Sequence, residues 1–254
     1  MILMQKFGSA YIGGDSVVPG ATYDFEGPDA PPISLGSTVP GKEIQWILAG
    51  GTLIADRNLI LNVGWDYLNH FDLVFGKKIV IDGRDYKVRL LRAGREGRLS
   101  DWTNLLIVVR DQDFLLNWRE AKSLGIDQDK DDPRLKICWG GDQLGRCNYV
   151  YFNDQAPNFG WRPVLELPNL NGGATASLTG KGVLIRSRKG TIIEGIVGNN
   201  TDYDLSIYGG KIISDNFKPE QEPQFLTFNQ DHIVVNRAEI LAIHPWDFRL
   251  EVTQ

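Results

Sequence analysis

The stretch NFGWRPVLEL, residues 158–167, sets Phe159, Trp161, Arg162 and Pro163 almost side by side and runs straight into the apolar Val164 and Leu165. A guanidinium between a Trp and a Pro at the mouth of a buried strand is costly unless something meets its charge. Whether Arg162 is scaffold or chemistry decides how the middle of the chain is read.

Downstream the texture changes. Residues 168–182, PNLNGGATASLTGKG, have the composition of a linker, placed at 171–180. Then GVLIRSRKGTIIEGIVGNNTDYDLSIYGGKII (182–213) and FLTFNQDHIVVNRAEILAIHPW (225–246) give short apolar runs parted by Lys-Gly, Gly-Asn-Asn and Gly-Gly turns. About five short strands here predict a small barrel over 181–254.

Upstream, EIQWILAGGTLIADRNLI (43–60) reads as strand, Gly-Gly turn, strand. GWDYLNHFDL (64–73) places Trp65, Leu68 and Phe71 at helical spacing. In KKIVIDGRDYKVRLLRAG (77–94), Ile79 and Ile81 alternate with polar neighbours, Asp82-Gly83 turns, and Tyr86, Val88 and Leu90 resume the alternation. SDWTNLLIVV (100–109) predicts a helix capped by Ser100 or Asp101, with Trp102, Leu105, Leu106 and Val109 on one face. DFLLNWREAKSL (113–124) predicts a second amphipathic helix with Leu115, Trp118 and Ala121 inward, followed by a charged loop. The first forty residues are rich in Pro and Gly and predict an extended arm over 1–41, either loosely held or strapped to a neighbour.

The 254 residues are ordinary for a folded protein in apolar content, 42%, and charge, 23%. With 28 Gly and 12 Pro, strands and turns are favoured over long helices. A net charge of −5 argues against nucleic acid as the main partner. The sequence shows neither a signal-peptide pattern nor an apolar run long enough for a membrane helix. The expectation is a soluble chain made without a signal peptide.

Residues 138–167, CWGGDQLGRCNYVYFNDQAPNFGWRPVLEL, resemble the closing segment of C-type-lectin-like domains of the formylglycine-generating-enzyme type. Gly140-Gly141, Arg146 and Gly160-Trp161-Arg162 carry the resemblance, which covers roughly residues 42–170. It implies an α+β fold: a C-type-lectin-like domain with two short helices and antiparallel strands, followed by the all-β barrel. Similar domains occur in phage and prophage proteins, including the receptor-binding variable proteins of diversity-generating retroelements. In such a fold Gly160 lets the chain turn, Trp161 fills the core, and Arg162 meets a carboxylate or backbone carbonyls as a structural bond. Pro163 suits an edge or first-strand position.

The related sulfatase-modifying enzymes carry a Cys pair just after the Gly-Gly segment. Here Cys138 precedes Gly140-Gly141 and Cys147 follows alone, and of His70, His232 and His244 two lie in the barrel region. An oxidase-like enzyme is therefore a minor alternative, and no catalytic residues are assigned. Asp127, Asp129 and Asp131 have calcium-loop spacing, but no Gly follows at the sixth position and no Glu at the twelfth. They are weak metal candidates, and no cofactor is assigned.

Between Gly141 and Gly160 the chain is rich in Tyr, Asn, Asp and Gln, the types that recognition surfaces favour. On a strand Tyr149, Tyr151 and Asn153 share one face, while Val150 and Phe152 look inward. With Gln143, Asp154 and Asn158 they form the candidate ligand surface. The barrel segment resembles Sm-like or SH3-like barrels, in which Arg186, Arg188 and Lys189 could meet phosphate. The expected function is binding and assembly without catalysis: a phage or prophage virion protein at a tail or capsid surface, displaying a receptor- or glycan-binding domain. The expected partners are copies of itself, other virion proteins and a cell-surface glycan or receptor. The alternative is a ring-forming or nucleic-acid-binding barrel protein.

Overall fold

The computed structural model describes residues 2, 4–25, 27, 29–94, 99–119, 121–166, 178–187, 190–201, 203–213, 226–228 and 232–245. Among the described residues the chain is mostly β, with two α-helices and largely antiparallel sheets, and it divides into two compact units after Glu166. Among the described residues no helix is long and apolar enough to cross a membrane.

The first unit opens with β1 (Met4–Phe7), β2 (Ser9–Ile12), β3 (Asp15–Val17), β4 (Ala21–Thr22) and β5 (Ile33–Gly36). It continues through β6 (Ile44–Ala49), β7 (Thr52–Ala55), β8 (Ile60–Leu61), α1 (Trp65–His70), β9 (Lys77–Ile81), β10 (Arg84–Arg89) and α2 (Asp101–Val109). After a 3-10 turn at Asp113–Leu116 come β11 (Lys122–Gln128), β12 (Leu135–Gly140), β13 (Gln143–Tyr151), β14 (Phe159–Trp161) and β15 (Val164–Glu166). Sheet one has the order β1-β6-β7-β15-β10-β9, and sheet two the order β13-β12-β11-β14-β8-β4. A three-stranded sheet, β3-β2-β5, accompanies them.

The expected arm over 1–41 is corrected: the described residues of this stretch are built into the unit's sheets. Met4 to Phe7 pair with Ile47 to Ile44, and Ala10, Tyr23 and Ile33 are buried. The second amphipathic helix is also corrected. Asn117 takes a left-handed φ of 45° and ends the 3-10 turn; Leu116, not Leu115, is buried, and Lys122 onward joins sheet two beside β12 and β14. Helical spacing over 113–124 yields to the pairing that this segment gains between two strands.

Residues 158–166 are the crossing between the sheets. β14 belongs to sheet two and β15 to sheet one, with Arg162-Pro163 between them. The segment 55–62 crosses alongside in the opposite direction: Ala55 N donates to Pro163 O, Leu59 N to Trp161 O and Asn62 N to Phe159 O. Arg162 fills the corner and is fully buried. Its Nη1 donates to the Ala55 and Asp56 carbonyls at 3.1 and 2.8 Å, Nη2 to Leu116 O at 2.6 Å, and Nε to Ser123 Oγ at 2.9 Å. The Trp102 ring of α2 lies 5.3 Å from the guanidinium carbon. The charge is thus met by carbonyls, a hydroxyl and a ring face. Gly160 serves close approach rather than a turn, since a Cβ there would sit 2.6 Å from Asn58 Cβ. Pro163 occupies the link rather than a strand.

The second unit contains β16 (Gly182–Ser187), β17 (Ile192–Asn200), β18 (Asp204–Ile212), β19 (Leu226–Phe228), β20 (His232–Asn236) and β21 (Ile240–Pro245). Their order is β19-β20-β18-β17-β16-β21, six strands rather than about five. The core holds Val183, Ile185, Ile193, Val197, Leu205, Ile207, Val235 and Ile243. Of the expected linker, 171–177 lie outside the described residues, and Leu178 belongs to this core.

His244 on β21 is buried, and among the described residues neither ring nitrogen finds a hydrogen-bond partner. Burial, with the Arg186 charge nearby, pushes its pKa down to about 4. The unfolded chain therefore takes up a proton first as pH falls, so stability present above about 6.5 is lost toward pH 4.

Two outcomes test this description. Arg162→Met keeps the stem and removes the donors, and urea titration should show a loss of at least about 3 kcal/mol, since each orphaned acceptor costs roughly 1–3 kcal/mol. His244→Phe should flatten the stability of the second unit between pH 6.5 and 4, a window in which the native chain loses roughly 3 kcal/mol; an unchanged pH profile would refute the assignment.

Candidate functional site

β13 is an outer strand of sheet two, and among the described residues it pairs with β12 alone. The register sets Leu135 opposite Tyr151, Ile137 opposite Tyr149 and Trp139 opposite Cys147, so these residues share one face. Ile137 and Trp139 are buried in the core beside α2, whereas Tyr149 and Tyr151 are each 47% exposed. Val150 points to the opposite face and is buried, next to its pairing partner Lys136, which stacks on the Trp65 ring at 4.4 Å.

The two tyrosines have polar company. Arg134, at the entrance to β12, lies with its guanidinium carbon 5.9 Å from the Tyr151 ring centroid and holds Asp132 in a forked pair at 2.8 and 3.0 Å. That hydrogen-bonded pair keeps the Asp132 carboxyl down at about 2. Partial desolvation, helped by the Cys147 and Asp129 charges, raises the Tyr149 hydroxyl above its ordinary value. The result is two half-exposed ring faces bordered by a guanidinium and carboxylates, suited to a ligand that offers C–H faces and hydroxyls. Sequence reasoning missed Arg134 and Asp132, because the pairing of Leu135 with Tyr151 brings them there and no local signal announces it.

The other candidates separate. Asn153 and Asp154 are exposed in the turn after β13, where Asp154 N donates to Tyr151 O, so they adjoin the tyrosines without sharing the strand face. Asn158 is exposed on the return leg, its carbonyl taken by Lys122 N. Gln143 is exposed at the far end of β13, roughly 20 Å from Tyr149 at about 3.3 Å per residue, and drops out of the patch. Gly140 and Gly141 turn the β12–β13 hairpin with φ of 83° and 76°, a region only glycine enters freely, and Arg146 is exposed beyond it. Trp161 and Arg162 are buried.

The acidic candidates do not gather. Asp127 Oδ2 accepts from Ala93 N, Asp129 Oδ1 accepts from the Asp131 and Asp132 amides, and Asp131 is exposed. Among the described residues no group of three His, Cys, Asp or Glu side chains could hold a metal. Arg186 is half-buried beside His244, while Arg188 and Lys189 lie outside the described residues.

Cys138 sits opposite Asn148 and Cys147 opposite Trp139, one register step apart, so the thiols point to opposite faces and both are free. Burial pushes Cys138 up to about 11, whereas Cys147 is exposed. The chain matches no family model, no curated protein and no solved structure in comparisons with each.

Alkylation with iodoacetamide at pH 8 should therefore add one label to the folded chain, at Cys147, and two after denaturation. Rapid double labelling of the folded chain would contradict the buried setting of Cys138.

Proposed function

We propose that this chain is a non-enzymatic binding and assembly protein whose first unit presents a recognition surface centred on Tyr149 and Tyr151. One observation carries the reading: the two rings stand half-exposed together on an outer strand, beside the core residues Ile137 and Trp139 on the same face and with Val150 buried on the other. Rigid aromatic rings give large contact area at small entropic cost, and neighbouring Asn153, Asp154 and Arg134 supply adaptable hydrogen bonds. A carbohydrate of a cell surface suits such a set. The C-type-lectin-like resemblance of residues 42–170 supports the same class of ligand, and a role on a phage or prophage particle is part of the same proposal. Enzyme chemistry has less support: His70 lies at the end of α1, His232 and His244 belong to the other unit, and Cys138 is buried.

A second reading, a ring-forming Sm-like barrel, is favoured by the second unit. Its last strand, β21, pairs antiparallel with its first, β16, after a 3-10 turn at Arg237–Glu239, an arrangement that suits a small barrel, and among the described residues β19 and β21 are the outer strands open to neighbours. This unit then serves assembly rather than recognition of nucleic acid.

Glycan-array binding by the native chain should be lost in Tyr149→Ala/Tyr151→Ala while stability changes by no more than about 1 kcal/mol, as for surface positions. Unaltered binding, or unfolding of the double variant, would remove the surface from consideration.

A further inference from the structure

The outer strands of the three six-stranded sheets are guarded unequally. β9 carries Lys77 and Lys78, β1 carries Lys6, β4 has two residues, β19 has three and β21 ends in Pro245. Charge, proline and shortness are the usual means of stopping an edge from pairing with another chain. β13 lacks them where it is most regular. From Cys147 to Tyr151 it pairs residue for residue with Trp139 to Leu135, and these five residues include no charge and no proline. The register irregularity lies at the far end, between Trp139 and Gly140.

The direction of the backbone groups follows from one bond. Phe152 N donates to Arg134 O at 2.9 Å, so Phe152 faces β12. Alternation then turns Val150 and Asn148 toward β12, and Cys147, Tyr149 and Tyr151 outward. Among the described residues, the Cys147 and Tyr149 amides meet no acceptor on that outer side. The residues with open backbone groups are therefore the ones whose side chains form the recognition face.

We infer that β13 pairs antiparallel with β13 of a second copy about a two-fold axis at Tyr149, so that one recognition site is built from Tyr149 and Tyr151 of both chains. The occupant follows from symmetry and charge. A two-fold edge pairing sets each residue near the axis against its own copy, and like charges there repel. Here the axial residue is Tyr149, Asn148 meets Val150, and Cys147 meets Tyr151, all uncharged. Tyr149 N–H donates to the second copy's Tyr149 carbonyl, and that residue's own N–H donates back; Tyr151 N–H donates to the second copy's Cys147 carbonyl, and the Tyr151 carbonyl, which already accepts from Asp154 N, takes the Cys147 N–H on its second lone pair. Side chains stand perpendicular to the sheet, so backbone pairing leaves the rings open and aligns four of them in a row. An elongated oligosaccharide spanning both chains is the ligand that such a row fits. This inference rests on the recognition role of Tyr149 and Tyr151 for its ligand, but not for its pairing.

Light scattering after size exclusion of the full chain, over a dilution series, should give twice the 28.5 kDa chain mass at high concentration. In Cys147→Ser/Tyr149→Cys, incubation with oxidised glutathione should link two chains through residue 149, because directly opposed hydrogen-bonded residues lie about 5.5 Å apart, within disulfide reach. Cys147→Pro removes an outward amide and should yield a folded monomer whose affinity for an arrayed oligosaccharide falls at least tenfold. A monomer at every concentration, or a dimer that residue 149 cannot cross-link, overturns the pairing. Cross-linking in Cys147→Ser/Tyr149→Cys, together with oligosaccharide binding that survives in a separate Tyr149→Ala/Tyr151→Ala chain, sustains the pairing and overturns the recognition role instead.

Discussion

The first unit depends on one buried cation. Its two large sheets are joined by several connections, and at one of them residues 55–62 and 159–166 run antiparallel side by side from one sheet to the other. A crossing of this kind exposes carbonyls at the corner, because the strands diverge and their ladders end. Arg162 supplies donors in a planar fork that reaches Ala55, Asp56 and Leu116 carbonyls and the Ser123 hydroxyl together. Lysine offers a compact ammonium and could not span the same set. The arginine in NFGWRPVLEL is therefore scaffold, and Trp161 and Gly160 serve the same corner, one by filling space and the other by leaving it.

A second buried arginine works beside it. Arg89 on β10 donates to Asp101, at the head of α2, and to Glu166, at the end of β15, both at 2.5 Å. Arg92 adds a contact to Glu166 at 2.8 Å. Hydrogen bonds and charge from Arg89 hold the Glu166 carboxyl below the usual range against the opposing effect of burial. These bonds tie α2 and the last strand to sheet one, so helix, crossing and both sheets share polar anchors. On that rigid base β13 is an outer strand with one open side, and its exposed rings are steadied by Ile137 and Trp139 beside them on the same face and by Val150 buried on the other. Recognition at low entropic cost requires such preorganisation.

Local patterns were legible in the sequence where local chemistry decided the structure. The Asp82-Gly83 hairpin, the Gly50-Gly51 turn, the Ser100 cap of α2 and the alternation of Tyr149, Val150 and Tyr151 all follow from neighbours in sequence. The N-terminal strands were not legible, because their partners lie some forty residues away, as with Met4 and Ile47, and Pro-rich spacers disguise them. Leu115 and Trp118 kept helical spacing, yet the positive φ of Asn117 and the space between β12 and β14 drew the chain into a strand. Arg134 became part of the candidate site through register alone. The role of Gly160 likewise needed the position of Asn58, a hundred residues upstream.

Native-state hydrogen exchange in rising urea tests the clamp most directly. The Ala55 amide reports on the sheet-one side of the crossing, and the Leu59 and Asn62 amides report on the sheet-two side. If Arg162 makes the two sheets one cooperative unit, all three amides exchange only through global unfolding, and their free energies merge on a single urea dependence. Separate values, with one sheet opening while the other stays protected, would contradict the account.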